Sequence, residues 1–300
     1  MEDGALADQP SLWHQVRGVT GRFRRQMRKR ILEPVLVGHR SFRETVLNAV
    51  SARGHLIYCD TPHGRFFVDP ADRTVGTHLV WRGVWQHAEL DQAISILVQE
   101  SRLQPGTLFV DAGANIGVQT VYALRSGRFG SAVSFEPEPG NRRLLEMNVA
   151  ANGLANQVRV VGKALGDTEG HATLYLHPRN KGAHAVGRRP SYDGTESIEV
   201  EIVRLSTELD AYAVSEIGMI WIDVEGLEPD VVRSLGKYLG QVPLVIEYAP
   251  ARYSKATRQA FDELLAAKYS TLHRLGAEAS PAQSPRVLPS VEGIVDILVY

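Results

Sequence analysis

From Thr107 onward the chain repeats one theme: a short apolar run, a turn, then a stretch with helical spacing. TLFVDAG reads as a buried strand before a helix from about Asn115 to Arg125, and SAVSFEP as the next, before a helix from Pro139 to Ala151. QVRVV is a third strand, and MIWIDVEG and PLVIEYA follow later with a helix from about Pro229 to Leu239 between them. A helix near Thr257–Lys268 and the strand IVDILVY complete the pattern. Strands joined through helices run parallel, because the crossover needs that length, and a parallel sheet must be covered on both faces. The alternation predicts an α/β domain over residues 105–300 with a doubly wound, mostly parallel sheet. HATLYL and IEVEIV read as further strands, with KGAHAVGRRPSYDGTES as a loop between them.

Two stretches precede this domain. Residues 36–104 form a β/α lead-in: GHLIYCDTPHGRFFVDPADRTVG reads as short strands broken by Pro-His-Gly and Asp-Pro. WQHAELDQAISILVQESRL then turns helical, with Leu90, Ala93, Ile94, Leu97 and Val98 as its apolar stripe. Residues 1–35 form a basic leader. The whole chain balances 33 basic against 34 acidic side chains, which argues against a dedicated polyanion binder. Residues 1–50, however, carry a net charge of +4, with seven basic residues between Arg17 and Arg30. The leader reads as a solvated helix, as peripheral docking on an anionic membrane through residues 12–32, or as a nucleic-acid contact. No apolar run approaches the ~18 residues that span a bilayer. The lone Cys59 excludes an internal disulfide framework, and MEDGALADQP lacks the apolar core of a secretory signal, so a cytoplasmic protein is expected.

The chemistry concentrates at strand ends. In LFVDAGANIG a strand ends in Asp111 and turns through Gly113 into a helix beginning near Asn115–Gly117. Glycines there let the backbone approach a ligand, and helix amides attract an anionic group. The dinucleotide fingerprint GxGxxG fails, because Asn115 and Val118 stand where glycines belong, and no Gly-Lys-Ser/Thr of a phosphate loop occurs. What remains is acid-x-Gly-x-x-x-Gly, a form used to hold S-adenosylmethionine. Glu136 ends the second strand 23 residues after Gly113, near the interval at which an acid grips ribose hydroxyls. Ala164 and Leu165 in KALGD follow the third strand as an adenine slot.

The segments VDAGANIGVQTVYA, FEPEPGNRRLLEMNVAANGL, KALGDTEG, IDVEGLEPDVVRSL and VIEYAP together resemble the successive motifs of the FkbM family of S-adenosylmethionine-dependent methyltransferases, over roughly residues 60–250. DPADRTVG and WQHAEL also resemble the elements ahead of that family's domain. The resemblance implies a Rossmann-like class I methyltransferase fold and methyl transfer, commonly to a hydroxyl of a sugar, glycan or secondary metabolite. It implies that Asp111, Gly113, Asn115 and Gly117 cradle the methionine end and nearby ribose, that Glu136 holds the ribose diol, and that Asp223 and Glu225 sit in the active cleft. Two departures bear on the acceptor: Gln86-His87 replaces an acid and proline, and His184 stands where serine is more usual.

An alkyl hydroxyl is a weak nucleophile and gains from a base or a metal that removes its proton. Asp223 and Glu225 end one strand and Glu247 the strand expected beside it, so three carboxylates converge on the mouth. They act as base and orienting group, or they hold a divalent cation; alternatively Glu225 caps the following turn and Glu247 pairs with an arginine. No histidine-rich spacing demands a metal. His184 is a second base candidate or a solvated loop residue. Glu89 either faces the substrate or serves as a helix N-terminal charge. A nucleic-acid methyltransferase would use the basic leader, but the domain shows no interleaved basic and aromatic patch. A non-catalytic cofactor-binding protein would leave Asp223 and Glu225 dispensable.

Overall fold

The computed structural model describes residues 40–187, 196–276 and 278–300. The basic leader, with the membrane contact expected at residues 12–32, lies outside the described residues, as do residues 188–195 of the glycine-rich loop. The chain divides into two compact units, residues 1–55 and 56–300. In the first, helix α1 (Arg40–Ser51) ends through Ala52 N donating to Asn48 O at 2.9 Å, followed by Gly54 at φ +66°. No helix among the described residues is long and apolar enough to cross a membrane.

The second unit opens with a hairpin, β1 (Ile57–Thr61) and β2 (Gly64–Val68). Thr61 builds its turn: its Oγ1 accepts from His63 N and Gly64 N and donates to Gly64 O. Helices α2 (Val75–Arg82) and α3 (His87–Gln99) follow. DPADRTVG, read from sequence with the strands, instead leads into α2, because Asp72 folds back to accept from Thr74 N and Gly76 N at 2.9 and 2.7 Å.

The main sheet then assembles from β3 (Thr107–Ala112), helix α4 (Val118–Arg125), β4 (Phe129–Phe135), helix α5 (Pro139–Ala151) and β5 (Val158–Val161) on one side. On the other side lie β10 (Ile217–Ile222), β11 (Leu244–Tyr248), β12 (Leu272–Arg274) and β13 (Val295–Val299). The strand order is β12-β13-β11-β10-β3-β4-β5, with β13 antiparallel to both neighbours and the rest parallel. This is the mostly parallel α/β sheet expected from the alternation and the Rossmann-like architecture implied by the resemblance. Strand β10 is buried at all six positions, as a central strand covered on both faces must be. One face packs Phe109, Met219, Trp221 and Val245 against α3, α4 and α5; the other packs Val110, Ile220, Ile222 and Ile246 against the C-terminal helices.

The alternation did not reveal a second, four-stranded sheet. β6 (Ala164–Leu165), β7 (Gly170–Tyr175), β8 (Ala185–Val186) and β9 (Ser197–Val203) form it in the order β6-β9-β7-β8. After it come the short helices α6 (Leu205–Glu208) and α7 (Glu228–Arg233), then α8 (Lys255–Lys268). The helix expected to reach Leu239 stops at Arg233, and Gly236 at φ +54° begins a separate turn.

Candidate active site

Strand order reverses at β3: β4 follows on one side and β10 lies on the other, which leaves a crevice at the strand ends. The turn after β3 fills the floor of that crevice. Gly113 sits at φ +90°, and a Cβ there would lie 1.8 Å from Asp223 O, so the ends of β3 and β10 touch backbone to backbone. Asp223 N also donates to Ala112 O at 3.0 Å. Gly117 (φ +83°) starts α4 against Leu145, whose Cδ1 would lie 2.3 Å from an added Cβ. Asn148 of α5 locks the turn from behind by donating to Ile116 O at 2.8 Å, and it clamps β2 through the peptide groups of Phe67.

Two cavities open from this floor and share Gly113, Asn115, Gly182, Asp223 and Glu225 as a common wall. The first runs past Glu136 and Asn141 to an aliphatic end formed by Ala164, Leu165, Leu174 and Val186. Glu136 is 6% exposed; Oε2 accepts from Asn115 N and Oε1 from Glu138 N, both at 2.9 Å. Burial pushes its pKa up to about 8 against those hydrogen bonds. The next acid, Glu138, caps α5 by accepting from Gly140 N and Asn141 N. Asn115 is held at φ +50°, and its buried Oδ1 has no partner among the described residues.

The second cavity is walled by Trp85, Gln86, Gln119 and Trp221 on one side and by the carboxylates on the other. Asp223, Glu225 and Glu247 bring one oxygen each within 4.8 Å of one another. Arg252 stands between two of them, with Nη2 2.7 Å from Glu225 and Nη1 in close contact with Glu247. Among the described residues Asp223 has no counter-ion of its own, and its covered Oδ1 has no partner. Burial, then the negative charges of Glu247, Glu225, Glu228 and Asp296, hold the Asp223 carboxyl well above the usual range. Glu225 is pushed up to about 7 by burial, with Arg252 opposing. Asp296 on β13 faces Glu247 directly across the strand pair, and burial pushes it up to about 7 as well. A hydrogen-bond chain reaches it from the other wall: Gln119 Nε2 donates to Gln86 Oε1, and Gln86 Nε2 donates to Asp296 Oδ2. Of the four non-glycine residues at positive φ among the described residues, three (Gln86, Asn115 and Glu225) line this cavity. Strain of that kind persists only where surrounding structure holds it, and it concentrates at functional sites.

The structure thus places Gly113, Asn115, Glu136, Ala164, Leu165, His184, Asp223 and Glu225 on the first cavity, and Glu247 on the second. Three expected residues line neither. Asp111 points into the protein, where Oδ2 accepts from Thr120 Oγ1 at 2.5 Å and burial lifts its pKa to about 6. Gly117 serves the start of α4. Glu89 lies in the first turn of α3, while its neighbour Gln86 reaches the cavity. His184, expected as a second base candidate or a solvated loop residue, is 9% exposed. It lines the first cavity only, and its Nδ1 already accepts from His177 N at 2.8 Å, which leaves Nε2 as the protonated nitrogen. The turn after Asp223 is capped not by Glu225 but by Glu228, which accepts from Val224 N and Gly226 N. Arg252, Gln86, Asp296 and Asp72 are the contributors that the strand-end pattern does not reveal.

The family model described as the methyltransferase FkbM domain matches residues 111–275. Methyltransferase sdnD of Sordaria araneosa is 26% identical over 164 residues, 45% of this chain and 62% of that protein. Methyltransferase 1 of Beauveria bassiana is 26% identical over 145 residues, 43% of this chain and 58% of that protein. The chain therefore spans about three fifths of the length of these curated relatives. Among solved structures, the precorrin-6y C5,15-methyltransferase of Geobacter metallireducens superposes with a TM-score of 0.37 at 13% identity, over 69% of this chain and 86% of that one.

Proposed function

We propose that this chain, which belongs to the FkbM methyltransferase family, methylates a hydroxyl group of a sugar, glycan or secondary metabolite with S-adenosylmethionine as donor. The observation that carries the reading is the common wall. A donor in the first cavity and an acceptor in the second would meet at Gly113, Asn115, Gly182, Asp223 and Glu225.

The first cavity fits the donor. The buried Glu136 carboxyl suits a diol, the aliphatic end suits a purine, and the partnerless Asn115 Oδ1 faces the methionine end as an acceptor for an ammonium group. When bound, the sulfonium supplies an electrophilic methyl group, and the C–S electrons return to sulfur as the new O–C bond forms. The protein's own work is alignment and proton removal. Asp223, at the wall, accepts the hydroxyl proton. Its raised pKa makes it, when ionised, a stronger base than an exposed aspartate. Arg252 holds Glu225 and Glu247 in place and supplies the positive charge that a divalent cation would otherwise bring, so the proposed chemistry runs without a metal. Trp85 and the amides of Gln86 and Gln119 offer the ring face and hydrogen bonds that a polyhydroxylated acceptor requires.

The test has two stages. S-adenosylhomocysteine at saturation should raise the melting temperature while NAD does not; absence of any shift contradicts the donor assignment. Transfer of radiolabelled methyl from S-adenosylmethionine to a panel of glycosides and polyketide alcohols, with matched amines as controls, then tests the acceptor class. Label in the amines alone contradicts hydroxyl methylation.

A further inference from the structure

His184 lines the first cavity as a buried polar side chain with an unsatisfied ring nitrogen. It is 9% exposed, and Nε2 has no hydrogen-bond partner among the described residues. A buried N–H left unpaired costs about 1–3 kcal/mol, so such a group calls for a ligand.

Its chemistry is fixed by its neighbours. Nδ1 accepts from His177 N, so the ring is the Nε2–H tautomer, a donor with no acceptor capacity left. Burial pushes its pKa down to about 4, with the Lys181 and His177 charges adding to that and Glu138 opposing, so it stays neutral at physiological pH. Its position is fixed by groups that do not touch the ring. Asp72 accepts from Lys181 N at 3.4 Å, Asn141 Nδ2 donates to Lys181 O at 2.8 Å, and Arg73 N donates to Arg179 O at 2.7 Å. His177 Nδ1 accepts from Asn180 N at 2.9 Å, closing the loop on itself. The loop from His177 to His184 is therefore strapped to α5 and to the residues ahead of α2. The strand after it, β8, pairs Val186 with Leu174 and sets the aliphatic wall beside the imidazole.

We propose that His184 is a positioning residue for the donor: its Nε2–H donates to a ring nitrogen of the adenine. The inference rests on the donor assignment above. It takes His184 away from proton transfer and makes it a reader of the nucleoside. A single N–H donor on a cavity that Ala164, Leu165, Leu174 and Val186 also line complements a flat apolar ring with sp² nitrogen lone pairs. The ribose has a different partner, because Glu136 offers acceptor oxygens to its hydroxyls.

Two substitutions separate the Nε2 donor from the rest of the ring. His184→Asn places an amide oxygen where Nδ1 stands and keeps a partner for His177 N, but it does not reach as far as Nε2. His184→Gln extends an amide N–H to about the Nε2 position. Titration calorimetry of the full chain with S-adenosylhomocysteine and its 1-, 3- and 7-deaza analogues reads the contact directly. In the wild type, one analogue should bind about tenfold more weakly than the parent, as expected for losing one such hydrogen bond. H184N should lose about tenfold on the parent and show no further loss on that same analogue, whereas H184Q should recover most of the parent affinity. Unchanged affinity in H184N, or equal deaza penalties in wild type and H184N, overturns the proposal. If H184N fails to fold, the wild-type and H184Q series decides, and no single-analogue penalty in either overturns it. Absence of S-adenosylhomocysteine binding by the wild type overturns the donor assignment itself, which is a separate outcome.

Discussion

The two cavities share a wall but are built on opposite electrostatic terms. Beyond the shared wall the first holds one buried carboxyl, Glu136, satisfied by two backbone N–H groups, and it ends in aliphatic side chains. The second gathers Asp223, Glu225 and Glu247 within 4.8 Å, with Arg252 against two of them and Asp296 across the strand from Glu247. A groove with one hydrogen-bonded carboxyl beyond the shared wall and an aliphatic end is suited to holding a nucleoside in one pose. A crowded acidic pocket with one carboxylate that has no counter-ion among the described residues is suited to taking a proton. The difference teaches where binding and chemistry divide: substitutions in the first cavity should move affinity, and those in the second should move turnover.

The sharpest break between them is Asp223→Asn. Amide replacement removes the base at little change in shape, and turnover with the acceptor found by the panel should fall about 10³-fold. S-adenosylhomocysteine affinity should stay within about twofold by calorimetry. Parallel loss of both would mean that the wall belongs to the first cavity alone.

Gly113→Ala should damage both cavities at once. Its Cβ would meet Asp223 O at 1.8 Å from a backbone held at φ +90°, so the two strand ends must separate. A loss of about 2–3 kcal/mol in denaturant unfolding is expected, with both binding and turnover reduced. Wild-type stability in this variant would contradict the contact between β3 and β10.

Arg252→Met tests what supplies positive charge in the second cavity. Without the guanidinium the carboxylate pKa values rise further. A base works only when ionised, so turnover falls as pH drops through its apparent pKa, and that acid limb should move to higher pH in the variant. The wild-type limb should lie above the ordinary carboxylate range, in keeping with the raised Asp223 and with Glu225 at about 7. Turnover should also be indifferent to a chelator; loss of activity in EDTA, restored by a divalent cation, would replace Arg252 by a metal in the account.

The smallest effect belongs to Glu136→Gln. Donor affinity should fall about tenfold with turnover at saturation little changed. In the unliganded protein the folded pKa of Glu136 lies near 8, above the ordinary glutamate value of about 4.3. The folded state therefore keeps a proton that the unfolded chain has released. Its contribution to stability is complete below pH 4 and is lost progressively as pH rises to about 8. The melting temperature of E136Q should decline less over that window than that of the wild type.

Much of this division is legible in the sequence, for definite reasons. A buried parallel strand announces itself as an apolar run, and its C-terminal residue falls at the sheet's ligand-binding edge whatever the rest of the chain does. That is why Gly113, Glu136, Asp223 and Glu247 could be placed from TLFVDAG, SAVSFEP, MIWIDVEG and PLVIEYA. The second sheet was not legible, because β6, β7 and β9 have the composition of strands but nothing in it says which sheet they join. Arg252, Asp296 and Asp72 were hidden for a related reason. Each acts on a partner in another element, such as Asp72 on Lys181 or Asp296 on Gln86, and no local periodicity encodes such a pair. His184 shows the limit for function: its residue type suggested a base, and only the His177 N–H on Nδ1 makes it a donor.

A structure of the chain with S-adenosylhomocysteine bound tests the division most directly. The adenine should lie against Ala164 and Leu165, the ribose hydroxyls on Glu136, and the sulfur at the wall of Gly113 and Asp223 with the second cavity open beyond it. A ligand seated among Trp85, Gln86 and Arg252, or reversed so that its sulfur faces Leu174 and Val186, would contradict the account.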